Sequence, residues 1–177
     1  MPHCLAECTF RSGLVAVATV GLLSAHVVAF AESDVFAELA QVRRATMDFR
    51  SIDAATKAGY GQFQDCVDEH GQGAMGIHFV HGEYVNDTVI DALHPEALMY
   101  ERDENGRLRF VGVEYIVFKD AWDAENAAPP TLFGEEFHVV PFPNRYGIPA
   151  FYELHAWIWR HNPAGVFYEW NPKVHCH

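Results

Sequence analysis

From Leu108 to Phe118 the chain is apolar at almost every position, and no other feature constrains the fold as much. Side chains of a strand alternate between its two faces. Leu108, Phe110, Glu114, Ile116 and Phe118 would share one face, and Val111, Val113, Tyr115 and Val117 the other. Both faces are greasy, so the run predicts a central strand in a sheet covered on both sides. Asn105–Gly106 just ahead of it is a strong hairpin signal, pairing this strand with Ala97–Glu101. Further strands are predicted over Met75–Val80, Phe137–Phe142 and Phe151–Trp159. Before them, Val35, Phe36, Leu39, Val42, Thr46 and Phe49 recur at helical spacing, with Ser33 or Asp34 placed to cap. Helical character resumes over Asp53–Ala58, as one element or broken near Arg50–Ser51, and Gly59 is a natural stop. Helix first and antiparallel strands afterwards predict an α+β fold. The N-terminal helical segment would pack on one face of a mainly antiparallel sheet, or plug a curled one.

The first residues have another character. Arg11 precedes an apolar run, Gly13 to Leu23, that continues loosely to Phe30, and Ala29–Phe30–Ala31 presents small residues where a signal peptidase reads. The order predicts a signal peptide over residues 1–31, cleaved after Ala31, and a single globular domain over 32–177. A membrane anchor fits less well, because the run is short and His26 interrupts it. Cleavage removes Cys4 and Cys8 and leaves Cys66 and Cys176. An even pair in an exported domain is expected to be a disulfide, with a reactive thiol or a metal thiolate as rivals. Closing so long a loop stabilises by roughly 4 to 5 kcal/mol on the chain-entropy account. The expected location is the periplasm or the extracellular medium.

Charge narrows the partners. The formal net charge is −12 with histidine neutral, and beyond Ala31 lysine occurs only at Lys57, Lys119 and Lys173. Such a surface repels phosphate backbones, so nucleic acid is excluded as a partner. After processing, no second apolar run is long enough to span a membrane. A small ligand or a protein partner stays open.

The informative residues are polar ones inside strands that should be buried. Glu114 lies among hydrophobes whichever face turns inward. His155 lies mid-strand, with Phe151, Glu153, Trp157 and Trp159 on its face and Tyr152, Leu154, Ala156 and Ile158 opposite. His78 sits between Ile77 and Phe79. A buried, unpaired carboxylate is costly and needs a cation, a donor or a proton. Two imidazoles and a carboxylate from three strands form a candidate metal site, suited to zinc, iron, manganese or copper. Glu101, Glu153 and His81 are candidate additional ligands. Three readings stay open here. The trio holds a metal or small ligand; it serves an enzyme, with Glu114 as a general base or in a metal-assisted hydrolase or oxygenase; or it is a hydrogen-bonded core group of a non-catalytic envelope or interaction protein.

Other chemistries drop out. Only Ser33 and Ser51 follow Ala31 and no G-x-S-x-G occurs, which argues against a serine hydrolase. C-x-x-C and C-x-x-C-H are absent. Gly71–Gly76 approaches G-x-G-x-x-G but precedes a strand instead of opening a helix. Trp157, Trp159, Phe167, Tyr168 and Trp170 read as core aromatics, with a pocket for an apolar or sugar-like ligand as the alternative.

Five blocks carry a resemblance: Met75–Val80, Pro95–Leu98, Gly112–Tyr115, Leu154–Pro163, and Trp170–Val174 followed by Cys176. Together they resemble a pattern of exported bacterial proteins that carry no assigned activity. The likeness runs from about Tyr60 to Cys176 and implies export, the domain span and cysteines like Cys66 and Cys176. His81 departs from the pattern, where an Asn-like residue is usual, which weighs against His81 as a ligand.

Overall fold

The computed structural model describes residues 23–176, with side chains from Asp34 onward. Arg11, Cys4, Cys8 and the expected signal up to Leu22 lie outside the described residues. The fold is α+β. Helix α1 (Leu23–Ala45) is followed by a 3-10 turn, Met47–Arg50, and by α2 (Ile52–Lys57). Neither Ser33 nor Asp34 caps α1, contrary to expectation. No glycine or proline occurs between Leu23 and Ala45, so nothing in that stretch stops the helix from starting further upstream. The helical segment does break near Ser51, whose Oγ accepts the Ala54 N–H and caps α2.

Nine strands follow: β1 (Tyr60–Gln62), β2 (Val67–Glu69), β3 (Gly73–His81), β4 (Ala97–Arg102), β5 (Leu108–Phe118), β6 (Thr131–Leu132), β7 (Glu135–Glu136), β8 (His138–Val140) and β9 (Phe151–Ala156). A short helix, α3 (Lys119–Asp123), leaves β5. The main sheet runs β1-β3-β4-β5-β9-β8, with β2 also on β3, and β6–β7 form a small hairpin apart. Every pairing is antiparallel. The sheet stays open, so α1 covers a face and plugs nothing. Central β5 and the β4–β5 hairpin are as expected, with Asp103 Oδ1 accepting the Asn105 and Arg107 N–H groups across the turn.

One face meets the helices. Leu39, Val42 and Ala55 pack there with Ile77, Phe79, Leu98, Tyr100, Val113, Tyr115 and Val117. Phe36 does not join them and is 60% exposed, at the edge of the expected stripe. The opposite face is covered by loops and by the C-terminal turns, which pair with β3 through Ala74 and Asn171. The Cys66–Cys176 disulfide ties that cover together, across a sequence separation of 110.

Two irregularities change which residues share a face. β4 pairs Met99 with Gly112 but Tyr100 with Phe110, so Val111 is an extra residue in β5. Phe110 therefore joins the helix face and Val111 the loop face, the reverse of strict alternation. Gly112 beside the bulge lets β9 close in: a Cβ there would stand 2.7 Å from the Ala156 oxygen. In β3 the bulge falls at Met75, next to Gly76, whose φ of +92° and whose approach to the Tyr100 oxygen only glycine tolerates. At its far end β9 stops at Ala156, short of the expected Trp159. Trp159 and Arg160 both donate their N–H groups to the Val111 oxygen, which swings Trp159 onto the helix-face cluster.

Candidate metal centre

Cross-strand register explains how residues so distant in sequence meet. Glu114 on β5 stands opposite His155 on β9 and, on its other side, opposite Ala97 on β4. His78 on β3 is opposite Met99 of β4. It must reach over β4 to touch Glu114, and Ala97 is the small residue that leaves the path open. All three side chains are buried, at 6%, 4% and 2% exposure for His78, Glu114 and His155.

Glu114 turns one carboxyl oxygen to each ring. Oε2 lies 3.3 Å from His78 Nε2, and Oε1 lies 3.8 Å from His155 Nε2. The two rings stand nearly perpendicular, with centroids 6.1 Å apart. The three candidate ligand atoms all lie within 4.8 Å of one another. Two ligands with bonds of about 2.1 Å at a tetrahedral angle are separated by about 3.4 Å. The arrangement therefore needs each pair of ligand atoms to close by at most about 1.4 Å to hold an ion.

Burial biases each member of the trio toward its neutral form when no cation is present. Burial pushes His78 down to about 4. His155 is held well below the usual imidazole range, by burial first and then by His78 and His138. Glu114 is raised well above the usual carboxylate range, by burial and then by the charge and hydrogen bond of Glu153. Burial raises Glu153 itself to about 7. The His78–Glu114 contact at 3.3 Å is thus biased away from an ion pair. His155 Nε2 is buried with no hydrogen-bond partner, one of two such side-chain atoms among the described residues. An orphaned buried nitrogen costs about 1–3 kcal/mol.

All three residues singled out in the sequence converge. Of the additional candidates, Glu153 is adjacent, hydrogen-bonded to Glu114. His81 is not in the site. It stacks on Tyr84 at 3.8 Å, with Nε2 3.0 Å from the Ala58 oxygen. Glu101 pairs with Arg160 at 3.6 Å, away from the trio. Trp157 and Trp170 are buried core, as read. Sequence reasoning missed Glu96, 1% exposed, whose Oε2 accepts the Ile116 N–H next to the site. Its signal was a charge directly before the buried run Ala97–Tyr100. Also missed was the cavity that opens against His78 and Glu114.

Comparison with protein-family models, curated proteins and solved structures finds no match to this chain.

Proposed function

We propose that this is an exported metal-binding protein that holds one divalent transition ion through His78, Glu114 and His155. The observation that carries the reading is the orphaned Nε2 of His155, buried and aimed at a carboxylate that already faces a second imidazole. A core group kept only for packing would satisfy its hydrogen bonds. An ion supplies the missing partner, displaces the proton from Glu114 and converts three costly neutral groups into ligands. Two imidazoles and one carboxylate suit zinc, iron, manganese or copper, and leave a coordination position free for a further ligand. Export is supported by the Cys66–Cys176 disulfide, which persists in oxidising compartments, and by the signal-like order of the N-terminal residues.

Elemental analysis of protein purified from the periplasm tests the binding. The wild type should carry close to one ion per chain, and His155→Ala only traces. Traces in both would overturn the proposal.

A further inference from the structure

Beside the His78–Glu114 edge of the trio lies a cavity of about 110 Å³. Val80, Val85, Ile116, Phe118, Ile148 and Phe151 form most of its wall, and nearly all of its surface is apolar. Gln64 and Tyr146 also line it, but both are engaged elsewhere. Gln64 donates to the Tyr146 backbone oxygen and the Tyr146 hydroxyl to the Met75 sulfur, each at 3.5 Å. Phe63, on the same wall, is 44% exposed, and Val80, Val85 and Ile148 are partly buried. The cavity therefore reaches solvent past hydrocarbon, and a small molecule can enter without parting the sheet.

The wall and the charges around it select the ligand. Four carboxyl groups lie at this end: Glu114 on the wall, Glu153 hydrogen-bonded to it, and Glu169 and Glu96 close enough to act on it. Against them stand His138 and Arg145, and Arg145 is already paired with Glu69 at 2.8 Å. Any of the four that ionises repels an anion. A divalent ion on the trio can be balanced by Glu114 and Glu153 together, which leaves no positive surplus for one. A cation fares no better. An ammonium brings three donors, and Glu114 already turns one oxygen to each imidazole. A charge of either sign also loses its hydration on entering hydrocarbon. An apolar cavity of about 150 Å³ stays dry and binds benzene or xenon, so such a space is itself a site for apolar ligands. We infer that the cavity binds a small uncharged molecule with an aliphatic body of about four carbon atoms, seated among Val80, Val85 and Ile116. The selection comes from the wall, needs no ion, and so stands apart from the metal reading.

The test titrates isobutanol, isobutyrate, isobutylamine and glycerol into the purified protein at neutral pH. Methyl signals of Val80, Val85, Ile116 and Ile148 are followed by nuclear magnetic resonance. Isobutanol should shift them saturably. Isobutyrate and isobutylamine share its body but are charged at that pH, and glycerol is neutral but lacks a hydrocarbon body. All three should bind at least tenfold more weakly. Val85→Phe and Ile116→Phe fill the cavity, and each should weaken isobutanol at least tenfold while methyl signals elsewhere stay dispersed, as in folded protein. The inference is overturned by no saturable shift with isobutanol, by equal binding of either charged analogue or of glycerol, or by undiminished binding in a folded filled variant. Should neither variant fold, the comparison of the four probes on the wild type decides. The metal content of the same sample is measured separately, so failure of the metal reading and failure of this one are told apart.

Discussion

On the helix face of the sheet, three buried tyrosines end on backbone carbonyls and a fourth, Tyr152, on the Asp123 carboxylate. Tyr60 donates to Pro95, Tyr100 to Phe49 and Tyr115 to Ala92, at 2.6 to 2.8 Å. On the loop face, three strands turn ionisable tips toward one another, and one nitrogen is left over. Among the described residues each face keeps one buried side-chain nitrogen without a partner, Trp159 Nε1 on the helix face and His155 Nε2 on the loop face. The indole N–H can only donate, whereas an imidazole nitrogen can also ligate a cation. An orphan of the second kind retains a place for something else.

The sharpest way to break this contrast is to delete packing from one face and charge from the other. Leu98 is fully buried against the helices, and Leu98→Ala should cost about 2–5 kcal/mol in chemical denaturation of metal-free protein. Glu114→Gln, replacing a carboxyl whose burial favours the protonated form, should stay within about 1 kcal/mol of wild type under the same conditions. It should nevertheless lose the metal. Comparable losses of stability from both would erase the distinction between the faces.

A second, smaller effect is the pH dependence of metal-free stability, which belongs to the loop face. Folded His78 titrates near 4 against an ordinary 6.5. Between those values the unfolded chain holds a proton that the folded chain refuses, so stability falls as pH drops from 6.5 toward 4. Glu153 acts in the opposite sense, near 7 against 4.5. Here the folded chain keeps a proton that the unfolded chain has lost, so stability falls as pH rises from 4.5 toward 7. The two windows overlap between pH 4.5 and 6.5, where the opposing slopes cancel, so each contribution is read as the difference between wild type and a variant. Leu98→Ala should lower the whole curve without reshaping it, whereas Glu153→Gln should remove a loss of roughly 1–3 kcal/mol that the wild type accumulates between pH 4.5 and 7. Denaturation midpoints across pH 4 to 8 measure both, and a Glu153→Gln curve parallel to that of the wild type would contradict the assignment.

The least of the three concerns the helix face alone. Tyr100→Phe removes the bond to Phe49 but keeps the ring, and should cost about 1 kcal/mol with metal content unchanged. A loss of metal in this variant would show that the two faces are coupled through β4.

Local pattern determined a good part of this protein. Asn105–Gly106 specified its hairpin because the turn geometry resides in those residues themselves. The central position of Leu108–Phe118 was legible for the same reason, whereas the break at Ser51 was one of two alternatives the pattern allowed. His78, Glu114 and His155 stood out because a charge inside an apolar strand is conspicuous before any fold is known. Tertiary structure alone decided the rest. The bulges at Met75 and Val111 depend on how β2 and β4 register against their neighbours, and each bulge exchanges the faces of the residues beyond it. That Ala97 leaves His78 a path to Glu114, that His81 turns away to Tyr84, and that a cavity remains beside the trio all follow from cross-strand neighbours and loop cover. Such contacts join residues far apart in the chain, and no short stretch of sequence encodes the distance between them.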